Sequence, residues 1–251
     1  MAKSGGMGDR LYLGGFDLSG DVGSIQTING GHPSVLQVTG ISSSGVERLL
    51  AQRSGEITFN SFWNDAAGGA HVVLDDLPRT DVGVTYFHGH ALGLATASMT
   101  ALQVDYNPVR GPDGSLVATT QALSNHTGLG LVWGGMLTNG QETDTTGTNP
   151  TSGWDDLAGS PTSTDFGATM WVHLITFTGS NITFTLRDAA TEPTYAAVTG
   201  GASAAMTAVG YQMWSTGATQ NIRRYLTVGT SGTFSNAVFV VGVARHRTAV
   251  I

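Results

Sequence analysis

The sequence predicts an all-β protein with one or two short helices, and three observations lead to this fold class. Glycine accounts for 36 of the 251 residues, well above the usual ~7%. Charged side chains make up 12%, against about 25% in an average domain. Apolar residues alternate over short segments separated by Gly, Asn and Pro, and long helical periodicity is missing. Short strands joined by many turns account for this pattern.

The strands of the first half follow from the alternation of polar and apolar residues. In the clearest case, Ile57 and Phe59 point to one side of a strand while Thr58 and Asn60 point to the other. The same reasoning predicts strands at residues 10–18, 35–41, 56–63, 82–87 and 129–133.

Two short helices are predicted between these strands. Val46, Leu49 and Leu50 have helical spacing, and a serine at position 43 or 44 can cap the preceding turn. A second short helix is predicted over residues 71–77, with Leu74 among its inward residues.

A long hairpin is predicted where two alternating segments flank the turn Pro112-Asp113-Gly114. The first segment has one solvent-exposed face, and the second runs back antiparallel to it from residue 116 to residue 123. The candidate surface residues of this hairpin are Leu102, Gln103, Val104, Asp105, Tyr106, Val117, Thr119 and Gln121.

Composition divides the chain into three parts. Residues 1–137 form a first domain, residues 138–167 an acidic linker rich in Gly, Thr, Ser and Pro, and residues 168–251 a compact C-terminal β-sandwich. In the last part Trp171 and Trp214 are candidates for exposed aromatic side chains, which could stack on sugar rings.

The charge balance disfavours binding to nucleic acid. The formal net charge is −7, and Lys3 is the single lysine. Residues 1–137 carry six basic and eleven acidic side chains, so this part is acidic while residues 168–251 are basic. Tight binding to DNA needs clustered Lys and Arg. Coexistence with DNA by repulsion is compatible with this charge.

The sequence also disfavours several other classes. Cys is absent, which excludes disulfides and thiolate chemistry. The first residues lack the apolar core of a signal peptide and no apolar run is long enough for a membrane span. We therefore expect a chain made in a cytoplasm, with no membrane contact.

We predict no catalytic site, no metal and no cofactor. His88 and His90 could share a face, with His71, Asp75 and Asp76 nearby in sequence, but a metal site needs three or four convergent ligands. The pairs Asp75-Asp76 and Asp155-Asp156 are adjacent residues, which on a strand point to opposite faces. Neither a nucleophile elbow nor a phosphate-binding loop is present.

The first half resembles the major tail (tail tube) proteins of long-tailed bacteriophages, especially phages of actinobacteria. The residues that carry this resemblance are the opening GDRLYLGGFDLSGDVGS, the strand GEITFNSFWND followed by AHVVLDDL, and the hairpin TALQVDYNPVRGPDGSLVATTQAL. The resemblance covers roughly the first 140 residues. The C-terminal part resembles the outward decoration domains often appended to such proteins.

This resemblance implies a tail-tube-like β-sandwich or barrel with a flanking helix. It implies hexameric rings stacked into a tube, assembled in the host cytoplasm and located in the virion tail. The tape-measure protein and translocating DNA would occupy the lumen without specific binding. The hairpin at residues 102–123, with its eight candidate residues, would pair between subunits and line the lumen. Two alternatives remain: a head decoration or head–tail joining protein, and a carbohydrate-binding virion module.

Overall fold

The computed structural model describes residues 5–76, 80–125, 129–150, 152–159 and 162–248. Strands make up 57% and helix 2% of the structure, which confirms the prediction of an all-β protein. Most strands belong to one branched sheet of 14 strands within the described ranges. In these ranges no helix is long and apolar enough to span a bilayer.

The first half contains the short helix and the strands that build the candidate site. α1 begins close to the predicted residue 71 and ends at Leu74, and the predicted residue Leu77 lies outside the described ranges. The elements are β1 (Arg10–Leu13), β2 (Phe16–Asp17), β3 (Val22–Gly31), β4 (Val35–Gln37), β5 (Arg48–Leu50), β6 (Ser54–Phe62), α1 (Ala70–Leu74), β7 (Val82–Phe87), β8 (Ala95–Arg110), β9 (Leu116–Ser124) and β10 (Val132–Met136).

The long strand β8 belongs to two parts of the sheet. Its first residues pair with β10 on one side and with β7 on the other, and β7 leads to β1 and β2. From Ala101 onward β8 pairs with β9, which is followed by β6 and β3. Ile57 and Phe59 of β6 are fully buried between these two parts. The alternation predicted for β6 and the β8–β9 hairpin are therefore confirmed.

The second half is organised around two long antiparallel strands, β14 and β18, of 22 and 21 residues. Met170, Phe184 and Phe239 are among the large side chains of its core. The strands of this half are β11 (Glu142–Asp144), β12 (Trp154–Asp155), β13 (Ser163–Thr164), β14 (Ala168–Ala189), β15 (Ala196–Ala202), β16 (Gly210–Ser215), β17 (Ile222–Arg223) and β18 (Tyr225–Arg245).

The segment 138–167, predicted as a linker, lies along the second half in the structure. β11 and β12 pair with β18, and β13 pairs with β17. Three of its carboxylates bind β18 or the residue before it, in the contacts Asp144–Thr230, Asp155–Arg224 and Asp156–Arg245. Three of the five acidic residues of this segment thus attach it to β18 or to the residue before it, which a count of charges in the sequence does not show.

The helix predicted around residues 46–50 is wrong. These residues belong to a hairpin in which β5 pairs with β4. Leu49 and Leu50 are exposed. Apolar residues at helical intervals indicate a helix when they pack against a core, and these residues do not. The predicted capping serine, Ser43, instead donates a hydrogen bond to the Glu47 carboxylate across the hairpin loop, at 2.9 Å.

A buried histidine connects the two halves. His173 of β14 is inaccessible to solvent. Its Nδ1 accepts a hydrogen bond from the backbone N–H of Gly15 at 3.3 Å, and its Nε2 lies 2.9 Å from Oγ1 of Thr85. Because Nδ1 must be an acceptor, the proton of the neutral ring is on Nε2 and is donated to Thr85.

The two halves also meet where β10 pairs with β18. Gly134 of β10 packs so closely there that a Cβ would lie 1.9 Å from the carbonyl oxygen of Val243. The backbone atom cannot move aside without disturbing β18, so this position requires glycine.

Gly134→Ala should therefore lower the free energy of unfolding by about 1–3 kcal/mol, measured by urea denaturation. Gly20→Ala is the matched control, because a Cβ there meets no atom within 4 Å. We expect the control to change stability by less than about 0.5 kcal/mol. Equal losses in the two variants would contradict the close approach of β10 and β18.

Candidate assembly surface

Four strands form a sheet whose outer face is exposed, and we name it the outer sheet: β3, β6, β9 and residues 102–110 of β8. Its inner face packs on the core. Side chains that oppose each other directly form rows across the outer face. One row is Thr27, Thr58, Gln121 and Asp105, and the next is Ser24, Asn60, Thr119 and Asn107.

Hydrogen bonds between side chains connect neighbouring strands across this face. Thr119 Oγ1 donates to Asn60 Oδ1 at 2.8 Å, and Gln26 Nε2 donates to the same oxygen at 3.1 Å. Gln121 Nε2 donates to Glu56 Oε1 at 2.9 Å. The outer face is therefore a hydrogen-bonded polar surface.

This face is also poor in positive charge. Glu56 and Asp105 lie on it, whereas Arg110, at the end of β8, is the single basic residue in the described strands of the outer sheet. The face thus offers a polyanion no cluster of cations to bind.

The structure divides the predicted hairpin residues between two faces. A β-bulge between Gln103 and Asp105 shifts the alternation of β8. Gln103 is buried and donates to the backbone oxygen of Leu74 at 2.6 Å. Tyr106 packs against the core, and Val104 is exposed. The outer face carries Asp105, Val117, Thr119 and Gln121, together with the half-buried Leu102.

Both edges of the outer sheet are free in the described part of the chain. β3 pairs with β6 alone, and residues 102–110 of β8 pair with β9 alone. Free strand edges present unpaired N–H and C=O groups to any approaching strand. The outer sheet can therefore be extended on two opposite sides.

An open cleft of about 490 Å³ lies beside β3 and keeps its free edge accessible. Across the cleft from β3, Asp9 accepts a hydrogen bond from the Tyr86 hydroxyl and lies 3.0 Å from His88 Nδ1. Burial and the hydrogen bond to Asp9 raise the pKa of Tyr86, so this hydroxyl stays protonated as a donor.

Beyond the outer sheet, the β3–β6 connection projects as a two-stranded hairpin, residues 32–51, which we name the arm. Its backbone is held by bonds such as Val38 N–H to the Glu47 carbonyl at 3.0 Å. The arm exposes seven apolar side chains: Val35, Leu36, Val38, Ile41, Val46, Leu49 and Leu50. An isolated hairpin is marginally stable in water, so this apolar surface is typical of a contact region.

The predicted aromatic platform of the C-terminal half is not present. Trp171 is 1% exposed, which contradicts the prediction that it is an exposed aromatic. Trp214 packs partly against the core, and its Nε1 donates to the Gly201 carbonyl at 2.9 Å. The carbohydrate-binding alternative required two exposed aromatic rings, and Trp171 and Trp214 do not provide them.

Sequence reasoning missed Trp133, which is 57% exposed on β10. The adjacent Gly134 and Gly135 mark a strand with closely packed neighbours, but they do not indicate which face Trp133 occupies.

The candidate metal ligands do not converge. His71 stacks on Trp63 with ring centroids 3.6 Å apart and lies 3.6 Å from Asp75, whereas His88 contacts Asp9. In the described ranges, no three His, Cys, Asp or Glu side chains are placed to hold an ion. Asp155 pairs with Arg224, whereas Asp156 pairs with Arg245 and lies 3.8 Å from Arg247.

No protein-family model and no curated protein matches the chain. Among solved structures, it is similar to the Dit protein of phage SPP1, presented as a paradigm of the hub adsorption apparatus of phages that infect Gram-positive hosts. The identity is 13%, the TM-score is 0.31, and the match covers 94% of this chain and 99% of that one.

The chain is also similar to the phage p2 baseplate in its activated conformation, in two structures. With Sr the identity is 10% and the TM-score 0.29, with 95% of this chain and 99% of that chain covered. With Ca the values are 11% and 0.31, with 96% and 99% covered. These three structures are thus a phage hub protein and two forms of a phage baseplate.

Proposed function

We propose that the chain is a structural subunit of a phage tail whose outer sheets join edge to edge into a ring around a channel. The observation that carries this proposal is the pair of free edges on opposite sides of one sheet. Three antiparallel pairings separate β3 from β8, so these two strands run in opposite directions.

Rotation about an axis along the strands brings β3 of one copy beside β8 of the next, still antiparallel. Repeated rotation closes a ring and leaves no free edge. Pro108 lies on β8 and has no N–H to donate. We therefore expect residues 102–107 to carry the pairing.

The polar outer face supports the proposal of a channel. Its side chains bond to each other, and it carries Glu56 and Asp105 rather than clustered cations. A polyanion can slide along such a wall because repulsion prevents tight contact. The finer proposal, taken from the resemblance in the sequence, is a tail tube subunit in stacked hexameric rings, with the tape-measure protein and DNA in the lumen and no enzymatic activity.

Gln26→Pro tests the edge contact. Gln26 lies at a bulge of β3 and has no register partner in β6, so proline there should spare the fold. Proline has no N–H, and we expect its ring to obstruct strand pairing at the free edge. We expect the wild-type chain to form rings in negative-stain images and the variant to remain a folded monomer by light scattering and circular dichroism.

Gln26→Ala is the matched control and should assemble as the wild type does. Assembly of Gln26→Pro at the wild-type concentration would rule out pairing through β3. A wild-type chain that stays monomeric at high concentration would count against a ring-forming subunit and favour a head decoration protein.

A further inference from the structure

The two ends of the outer sheet differ in charge. Near the start of β6 lies a cleft of about 360 Å³, which we name the basic cleft: Gly30, Gly31, His32, Arg53, Leu131, Val132, Trp133 and residues 244–248. Arg53 and Arg247 are exposed in it. The indole of Trp133 forms an exposed apolar wall.

The positive charge of the basic cleft is incompletely neutralised. Asp156 forms a buried ion pair with Arg245 and lies 3.8 Å from the largely exposed Arg247. Arg53 makes no ion pair with any described residue, and the nearby Glu56 is bonded to Thr58 and Gln121.

The two histidines of the basic cleft have polar partners of their own. His32 Nδ1 contacts the Ala51 carbonyl, and His246 Nε2 lies 2.9 Å from Thr169 Oγ1. Burial and the nearby Arg53 lower the pKa of His246. The available charge is therefore that of Arg53 and Arg247.

The opposite end of the outer sheet presents a turn in which the carboxylate of Asp113 follows Arg110, the last residue of β8, by three positions. β6 pairs with the end of β9 at Glu56 and with its start at Phe62, so the β8–β9 turn lies far from the basic cleft along the strands. Asp113 in this turn accepts hydrogen bonds from Ser115 N–H at 3.0 Å and Ser115 Oγ at 2.7 Å. These bonds lower the pKa of Asp113 and keep it ionised.

We propose that the basic cleft of one copy binds the Asp113 turn of a second copy stacked end to end along the strands. Arg53 and Arg247 receive the carboxylate, and Pro112 packs against the Trp133 ring. One copy thus offers both complementary surfaces at opposite ends, which is the requirement for a contact that repeats along an axis. The proposal rests on the proposed ring, because it describes how one ring contacts the next.

A charge exchange tests the proposal. Arg53→Glu and Asp113→Arg should each raise the concentration needed for stacking by about tenfold or more at low salt, since close charge pairs across interfaces contribute at least this much. The double variant should restore stacking to within about threefold of the wild type. Asp113→Asn removes the charge but retains an acceptor for Ser115, so it separates the effect of the charge from that of a disrupted turn. Asp165→Arg is the control, since Asp165 is an exposed carboxylate of the second half.

The outcomes separate this proposal from the ring itself. If rings form and neither charge reversal changes the concentration needed for stacking, the cleft proposal is overturned, while the proposed ring is unaffected. If the chain forms no rings, the contact can be tested by a disulfide between copies. The chain has no cysteine, so any disulfide must come from the cysteines introduced. Pro112→Cys mixed with Trp133→Cys should yield a mixed dimer that high salt suppresses. A yield no greater than with Pro112→Cys mixed with Asp165→Cys would overturn the contact.

Discussion

Asp156→Ala should lower the free energy of unfolding by about 3–5 kcal/mol, because it leaves a buried guanidinium without its counter-ion. The side chains of Arg245 and Asp156 are 2% and 7% exposed. Arg245 also donates to the carbonyls of Ile222 and Arg223, each at 2.7 Å. Burial lowers the pKa of Arg245 because it disfavours the charged guanidinium, and the contact with Asp156 acts in the opposite direction. Urea denaturation measures the loss.

The neighbouring residue provides the control. Asp155 pairs with Arg224, and these side chains are 32% and 28% exposed. Pairs near the surface contribute about 0–1 kcal/mol, so Asp155→Ala should cost far less than Asp156→Ala. Comparable losses would show that the segment 138–167 is held by something other than the buried pair.

Acid should destabilise the protein through His173. Burial lowers the pKa of His173 to about 3, while the unfolded chain binds the proton near pH 6.5. The unfolded state therefore carries more protons between these values, and stability falls as the pH decreases. The loss is roughly 1.4 kcal/mol per pH unit, or about 2 kcal/mol at pH 5. Stability is fully retained above about pH 6.5.

The variant His173→Gln isolates this contribution from other groups, including His246, whose lowered pKa acts in the same direction. Its side chain does not titrate, so its stability should vary less between pH 6.5 and pH 4 than that of the wild type. Parallel pH profiles from urea denaturation would exclude His173 as the source of acid sensitivity.

The elements predicted correctly are those in which one side of a strand meets the core. β6 alternates because Ile57 and Phe59 fill the interior, and the β8–β9 hairpin follows from its Asp-Gly turn. Local sequence is sufficient there, since burial and turn geometry act on residues close together in the chain.

The elements missed depend on distant partners. The side chains of Val46, Leu49 and Leu50 in the arm do not pack against a core, so their spacing does not indicate a helix. The segment 138–167 resembles a linker by composition, although Asp144, Asp155 and Asp156 bind residues more than 60 positions away. Trp171 and Trp214 look alike in sequence, yet the position of β14 between β16 and β18 buries Trp171.

The candidate site was predictable in part. The hairpin itself was found, but the bulge that sends Gln103 inward and Asp105 outward has no local signature. The free edges and the basic cleft arise from the order of strands, which a single sequence does not display.

β8 pairs with β7 and β10 at its start and with β9 at its far end, and this arrangement affects how force passes through the protein. A force on the second half passes from β18 to β10 and then to β8, whose far end forms part of the outer sheet. One continuous strand spans both regions, so the force is carried along β8 itself and not across a loop between them. We expect a pull on the second half to reach the outer sheet as a displacement along the strand axis of β8.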